Sequence, residues 1–260
     1  MAELVSLYAD RWSAQIYDYH FGMLEEDLPF WLRLAKEQGG SVLELAVGTG
    51  RVALALARAG FAVTGVDCSE HMLEVARRKR EREPRETGSR LRLVLADMCS
   101  YALADRCSLV IVPARAFQAL LTREQQRNCL ESSARHLLPG GRIALDLFQP
   151  LLSRLGAPGG IDEEETEFDG PEGTPIRCRA HTDYDLAAQT MTGRWQYEQM
   201  TPEGAHTREY LLRLRYCYRY EVEWMLEACG FTVEAAYGGF DRSPISAESK
   251  EMIFVARKGR

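Results

Sequence analysis

The sequence predicts an α/β fold built on a doubly wound, Rossmann-like parallel sheet. Short apolar segments of strand length alternate with longer helical patterns over the first 150 residues. A glycine turn joins the first of these strands to the following helix, and Asp67 closes the next strand nineteen residues after Gly48 of that turn. Strand, helix and strand repeated in this way imply parallel strands with right-handed crossovers.

The elements follow in order. A helix is expected over Asp27 to Gln38, after which SVLELA (Ser41 to Ala46), FAVTGV (Phe61 to Val66), LRLVLA (Leu91 to Ala96), SLVIV (Ser108 to Val112) and GRIALDLF (Gly141 to Phe148) have strand length and β-branched content. Between them lie helical patterns at Arg51 to Ala59, Glu70 to about Arg80, and Arg123 to Leu138. In the last of these, Thr122 and Gln125 form a capping box, Leu130, Ala134, Leu137 and Leu138 share a face, and Pro139-Gly140-Gly141 is the stop. From Leu151 to Thr174 the pattern dissolves into turn residues and the acidic run Asp162 to Glu165, which reads as a solvated loop, with a lid over substrate as the alternative. Period-two alternation then marks Ile176 to Asp185, Gln189 to Met200 and His206 to Tyr218, joined by turns at Leu186 to Ala188 and Thr201 to Gly204, as an inserted antiparallel three-stranded meander. A helix at Glu221 to Cys229 and strands at Phe231 to Ala236 and Met252 to Lys258 finish the chain.

With 260 residues, 46% apolar and 27% charged, the chain can bury one sizeable core. The expected organisation is an N-terminal helical lid segment (1–40), a cofactor-binding core (41–150), the acidic loop with the inserted sheet (151–219) and the C-terminal part of the core (220–260). A net charge of −6 argues against a protein whose affinity comes from neutralising phosphates. The basic run Arg77 to Arg80 reads as the solvated end of a helix that begins with Glu70 and Glu74. The first ten residues lack the basic start and apolar stretch of a signal peptide and no apolar run is long enough to span a membrane, so a cytoplasmic protein without membrane or nucleic-acid partners is expected. Seven cysteines without a C-x-x-C pair fit reduced thiols, and neither they nor the five histidines have metal-ligand spacing; no metal is expected.

The chemistry concentrates at the glycine turn. A dinucleotide fingerprint would need glycines where Ala46, Gly48 and Arg51 stand; the turn instead reads E-x-A-x-G-x-G from Glu44 to Gly50. Glu44 is a poor neighbour for a pyrophosphate and a good one for an ammonium or sulfonium. Asp67 can accept both hydroxyls of a ribose, Ser69 being available to cap the next helix. Asp97 and Met98 end the third strand, where an adenine amino group and ring face would suit them.

These marks, with Leu137-Leu138-Pro139-Gly140-Gly141 before the fifth strand and Cys229-Gly230-Phe231 before the sixth, resemble the class I S-adenosylmethionine-dependent methyltransferases. Within that class the chain is similar to small-molecule enzymes with an inserted antiparallel sheet, such as sugar amine N-methyltransferases. The resemblance implies strand order 3-2-1-4-5-7-6 with the last inserted strand antiparallel. It implies S-adenosylmethionine as cofactor and S-adenosylhomocysteine as product. Glu44, Ala46 and Gly48 would surround the methionine end, Asp67 the ribose, Cys68 and Met98 the adenine faces, and Asp97 the adenine amino group, with Gly50, Arg51 and Pro113 as further cofactor-binding residues. Relatives often read P-x-N-x-x-x-H-L after the fourth strand; here Arg115 and Ala119 stand in place of the asparagine and histidine.

Methyl transfer to an oxygen or nitrogen of a small-molecule acceptor is therefore expected, by in-line displacement, with Tyr17, His20, Arg115 and Asp146 as the candidates beside the reacting groups. A homodimer through the inserted sheet is the candidate assembly. The alternatives are a nicotinamide-dependent oxidoreductase on a similar sheet and a non-catalytic S-adenosylmethionine-binding regulator.

Overall fold

The computed structural model describes residues 5–21, 26–201 and 204–259. Its elements begin with β1 (Val5–Ser6), α1 (Arg11–Phe21), α2 (Leu28–Gln38), β2 (Val42–Leu45), α3 (Arg51–Arg58), β3 (Val63–Asp67), α4 (Glu70–Glu81), α5 (Arg85–Arg90), β4 (Leu91–Leu95) and β5 (Cys107–Val112). A 3-10 turn (Ala116–Ala119) leads into α6 (Arg123–His136), β6 (Leu137–Phe148), α7 (Leu152–Leu155), β7 (Ile161–Asp162) and β8 (Thr166–Asp169). After a second 3-10 turn (Pro171–Gly173) come β9 (Pro175–Asp185), β10 (Thr190–Thr201), β11 (Gly204–Arg215), α8 (Arg219–Ala228), β12 (Phe231–Tyr237) and β13 (Glu251–Lys258).

Seven strands form one sheet in the order β4-β3-β2-β5-β6-β13-β12. The first five run parallel, and β13 is antiparallel to both its neighbours. This is the expected 3-2-1-4-5-7-6 arrangement. Its central strands are apolar on both faces because helices cover both. Leu43, Val110, Leu145 and Phe254 pack with Leu130 of α6 and Leu226 of α8, while Val42, Ile111, Ala144 and Ile253 pack with Phe30, Trp31 and Leu34 of α2 and Leu56 of α3. Full burial of each such side chain contributes roughly 1.5–3 kcal/mol. Ser69 caps α4 through the Met72 amide at 3.3 Å, and the Thr122–Gln125 capping box starts α6.

Three expectations are corrected. Sequence periodicity carries α6 to Leu138, but the helix ends at His136 and β6 begins at Leu137, which is buried while Leu138 is exposed. Pro139 to Gly141 form an irregularity inside the strand, with Gly140 at φ 74° and the pairing with β5 shifted between Cys107 and Leu109. The inserted sheet has six strands rather than three, since β1, β7 and β8 add to the long meander of β9, β10 and β11. The turn expected at Thr201 to Gly204 includes residues 202–203, outside the described residues.

Third, the acidic run is solvent-exposed as expected, with 163–165 an irregular link between β7 and β8, but it is tied to the sheet rather than free. β7 and β8 pair antiparallel with β9, placing Glu167 opposite Arg177. Arg177 bonds Glu167 at 2.9 Å, Arg179 bonds Glu165 at 2.5 Å, and His181 meets Asp162 at 2.7 Å. The outward basic residues of β9 thus hold the segment that precedes them. The other face of the meander is packed: Trp195 stands opposite Tyr210, and Trp12 of α1 stacks on Tyr210 at 6.1 Å and meets Tyr197 edge-on at 5.7 Å.

Gly65 on β3 fixes how closely the glycine turn approaches the sheet. A Cβ there would lie 2.7 Å from Cγ2 and 2.9 Å from Cβ of Val47, a branched residue whose backbone amide donates to the Val66 carbonyl at 2.9 Å. Gly65→Ala should therefore destabilise the fold by about 1–3 kcal/mol through overpacking, read as a lower denaturant midpoint with an unchanged slope.

Candidate functional site

The expected site residues Glu44, Asp67, Asp97, Pro113 and Asp146 gather at the carboxyl ends of the parallel strands, where open α/β sheets bind ligands. The turn after β2 has a left-handed residue at every second position: Ala46 at φ 54°, Gly48 at φ 55° and Gly50 at φ 84°. The alanine is accommodated at a backbone cost of about 1 kcal/mol. Gly48 is half-buried, and a Cβ on it would meet nothing nearer than the Ala46 carbonyl at 4.0 Å, so its backbone is open to a close approach. Its amide donates to Asp67 Oδ2 at 2.8 Å, and the Ser69 amide donates to Asp67 Oδ1 at 2.8 Å. Asp67 is buried, and burial raises its carboxyl despite these bonds.

Glu44 is 3% exposed and its Oε2 has no partner among the described residues. Burial pushes its carboxyl well above the usual range, opposed by Arg51. The Arg51 guanidinium is bidentate on Asp27 at 2.5 and 2.7 Å, and Asp27 also accepts from Trp31 Nε1 at 2.9 Å. Arg51 therefore ties the start of α3 to the start of α2. Cys68 and Asp97 are exposed, Met98 is half-buried, and Asp97 Oδ1 accepts from the Cys99 amide at 2.7 Å.

Beyond the buried Pro113, the backbone is left-handed twice in succession, at Ala114 (φ 57°) and Arg115 (φ 60°). The Arg115 amide donates to Asp146 Oδ2 at 3.0 Å, while its guanidinium is engaged by Glu251 and lies 5.9 Å from the Phe148 ring centroid. Asp146 is 2% exposed, its Oδ1 has no partner among the described residues, and burial pushes its carboxyl up to about 7, with Glu251 adding to the effect. Ala119 is exposed and carries no base.

The two N-terminal candidates separate along α1. Tyr17 lies within electrostatic reach of Asp67 and Arg51, meets Tyr8 edge-on at 6.0 Å, and is pushed up to about 12 by burial. His20 turns to the inserted sheet: its Nδ1 is 3.0 Å from the Tyr197 hydroxyl, its ring stacks on Phe168 at 4.8 Å, and burial lowers it to about 4. Sequence reasoning gave no site role to Asp18, Thr49 or Lys79. Gln118 is fully buried and braces two elements, accepting from the Phe148 amide at 2.9 Å and donating to the Arg215 carbonyl at 3.3 Å. The basic run of α4 is engaged within the chain, with Arg77 on Glu70, Arg78 on Glu74, Lys79 on Asp18 and Arg80 on the Leu91 carbonyl.

An open backbone between a buried carboxylate with a spare oxygen and a second carboxylate preset by two amides suits a ligand carrying cationic and hydroxyl groups, as S-adenosylmethionine does. The comparisons with known proteins agree. The family model described as "Methyltransferase domain" matches residues 42–141. The cypemycin N-terminal methyltransferase of Streptomyces sp is 26% identical, covering 96% of this chain and 97% of its own. The structure of the CcbJ methyltransferase from Streptomyces caelestis superposes with a TM-score of 0.79 at 26% identity, over 98% of this chain and 99% of that one. The sugar N-methyltransferase KedS8 from Streptoalloteichus shares the fold, with a TM-score of 0.74 at 18% identity over 90% and 87% of the two chains. No helix among the described residues is long and apolar enough to cross a membrane.

Because the folded protein holds the Asp146 proton up to about pH 7 and the unfolded chain releases it near the ordinary value of 3.8, this group's contribution to stability is full below about pH 4 and is lost as pH rises through 7. Asp146→Asn should flatten that decline and exceed the wild type in stability above pH 7. Urea midpoints measured from pH 4 to 8 check both.

Proposed function

Because this chain is a class I S-adenosylmethionine-dependent methyltransferase with an inserted antiparallel sheet, we propose that it methylates the nitrogen of a small-molecule amine, with Asp146 as the group that takes the amine's proton. The observation that carries this reading is the buried Asp146 carboxylate, unpartnered at Oδ1 and raised to about 7, beside an arginine already satisfied by Glu251. An anionic acceptor group would find little at Arg115. An ammonium would find a free carboxylate oxygen. The similarity to the cypemycin N-terminal methyltransferase supports nitrogen as the acceptor atom.

Bound S-adenosylmethionine supplies a methyl group on positively charged sulfur, open to in-line displacement. In this reading Glu44 and the Ala46 and Gly48 backbone hold the methionine end, and Gly50 and Arg51 carry the turn into α3. Asp67 accepts the ribose hydroxyls with the lone pairs left free by its two amide donors. Cys68 and Met98 flank the adenine, Asp97 accepts from its amino group, and Pro113 closes the methionine end. Tyr17 and Tyr8 lie over the ribose acid and exclude water. Asp146 receives the proton that makes the acceptor nitrogen nucleophilic, and Arg115 positions it through its amide.

A hydroxyl acceptor is the second reading. His20 favours it, since burial keeps the ring neutral and the Tyr197 hydroxyl orients it, as an oxygen acceptor's base requires.

Asp67→Ala should weaken S-adenosylhomocysteine binding by 1–3 kcal/mol, roughly the cost of unsatisfied ribose hydroxyls, in isothermal titration; unchanged affinity would place the ribose elsewhere. Asp146→Asn should lower kcat/KM for amines by roughly 10²–10⁴, remove the acid limb of the pH profile near 7, and leave S-adenosylhomocysteine affinity intact. A mass-spectrometric screen of amines against phenols decides between nitrogen and oxygen: methylated phenols with inert amines would move the base to His20.

A further inference from the structure

Between α1 and the glycine turn lies a buried polar contact that neither the cofactor roles nor the proton transfer uses. Thr49, the turn residue between Gly48 and Gly50, is 1% exposed, and its hydroxyl donates to Asp18 Oδ1 at 2.6 Å. The other carboxylate oxygen of Asp18 accepts from Lys79 Nζ of α4 at 2.9 Å, and Lys79 also reaches Thr49 Oγ1 at 3.4 Å. One carboxylate on α1 thereby joins the turn to the helix that follows Asp67. A second contact lies alongside, the Ser69 hydroxyl donating to the Tyr8 carbonyl at 2.8 Å.

The opposite side of α1 and its leading turn is committed to the inserted sheet. The Tyr210 hydroxyl donates to Asp10 Oδ2 at 2.8 Å, Trp12 stacks on Tyr210, and His20 contacts Tyr197. Tyr8 and Tyr17, carried by the same segment, lie within electrostatic reach of Asp67. The segment thus bridges the turn and the inserted sheet, and moving off the turn means either leaving that sheet or carrying it along.

We propose that Asp18, through Thr49 and Lys79, is a positioning residue that latches α1 onto the cofactor turn, so that exchange of S-adenosylhomocysteine for fresh cofactor requires this latch to open. The inference rests on the cofactor lying at the Gly48 turn, which the Asp67→Ala titration tests independently. The latch is specific because it grips the turn itself; Arg11 also joins α1 to α4, through Glu74 at 3.5 Å, without touching the turn. The half-exposed Asp18–Lys79 pair is open to screening by salt.

The test is S-adenosylhomocysteine dissociation from the intact protein by stopped-flow fluorescence. Asp18→Ala should accelerate release at least fivefold and remove its dependence on ionic strength, whereas Arg11→Ala should leave the rate within twofold of wild type. The reversed pair, Asp18→Lys with Lys79→Asp, should recover most of the slow release, with circular dichroism and melting temperature confirming the fold of each variant. Equal rates in wild type and Asp18→Ala, or equal acceleration by Arg11→Ala, would overturn the latch. Slow release unchanged by Asp18→Ala together with a normal loss of affinity in Asp67→Ala would overturn the latch while leaving the cofactor reading intact.

Discussion

The bond from the Gly48 amide to Asp67 Oδ2 is the constraint on which the ligand edge depends. It joins two adjacent parallel strands beyond the end of their ladder, where the backbone would otherwise be free to splay. Once the turn is fixed there, Gly65 must be a glycine because Val47 rests on it, and Gly50 must accept a left-handed φ to launch α3. A charge-assisted bond of this kind contributes more than a neutral one, and it orients the Asp67 carboxylate without consuming all of its lone pairs.

The same edge concentrates buried negative charge. Glu44, Asp67 and Asp146 are each raised by burial, and two of them have an oxygen without a partner among the described residues. Leaving such groups unpaired in a fold costs several kcal/mol each when ionised, so a protein retains them for a reason other than stability. The nearby guanidiniums are already occupied, Arg51 with Asp27 and Arg115 with Glu251. What the edge lacks is positive charge with hydrogen-bond donors, which is the character of the ligands proposed for it.

The seven-stranded core was legible because its signals are local. Strand length, capping residues and the spacing from Gly48 to Asp67 all lie within a few tens of residues, and the turn chemistry is specific. What was not legible depended on partners far away in sequence. The side chains of α1 that face the sheet, such as Trp12 and His20, acquire their role only from Tyr197 and Tyr210. The run Asp162 to Glu165 reads correctly as solvated, but its tether appears only when Arg179 and His181 are brought opposite to it. In β6 the pairing with β5 overrode helix periodicity at Leu137. At the site, Asp67 was found by spacing, whereas Asp18 and Thr49 had no pattern to mark them, because their work is to join elements rather than to repeat along one.

The departure at Arg115 has a backbone explanation. Position 115 is left-handed, at φ 60°, and follows another left-handed residue. Asparagine, which the resemblance leads one to expect here, tolerates that conformation better than other side chains with a Cβ. Arginine adopts the same φ here with support from both ends: Asp146 accepts its amide, and Glu251 and Phe148 hold its side chain. The left-handed pair is thus braced by Asp146, the carboxylate proposed to take the acceptor's proton. Holding the backbone and holding that proton would be separate demands on it, since Oδ2 accepts the Arg115 amide and Oδ1 has no partner among the described residues. In the proposed reaction the end of β6 therefore offers a base where Ala119 offers none.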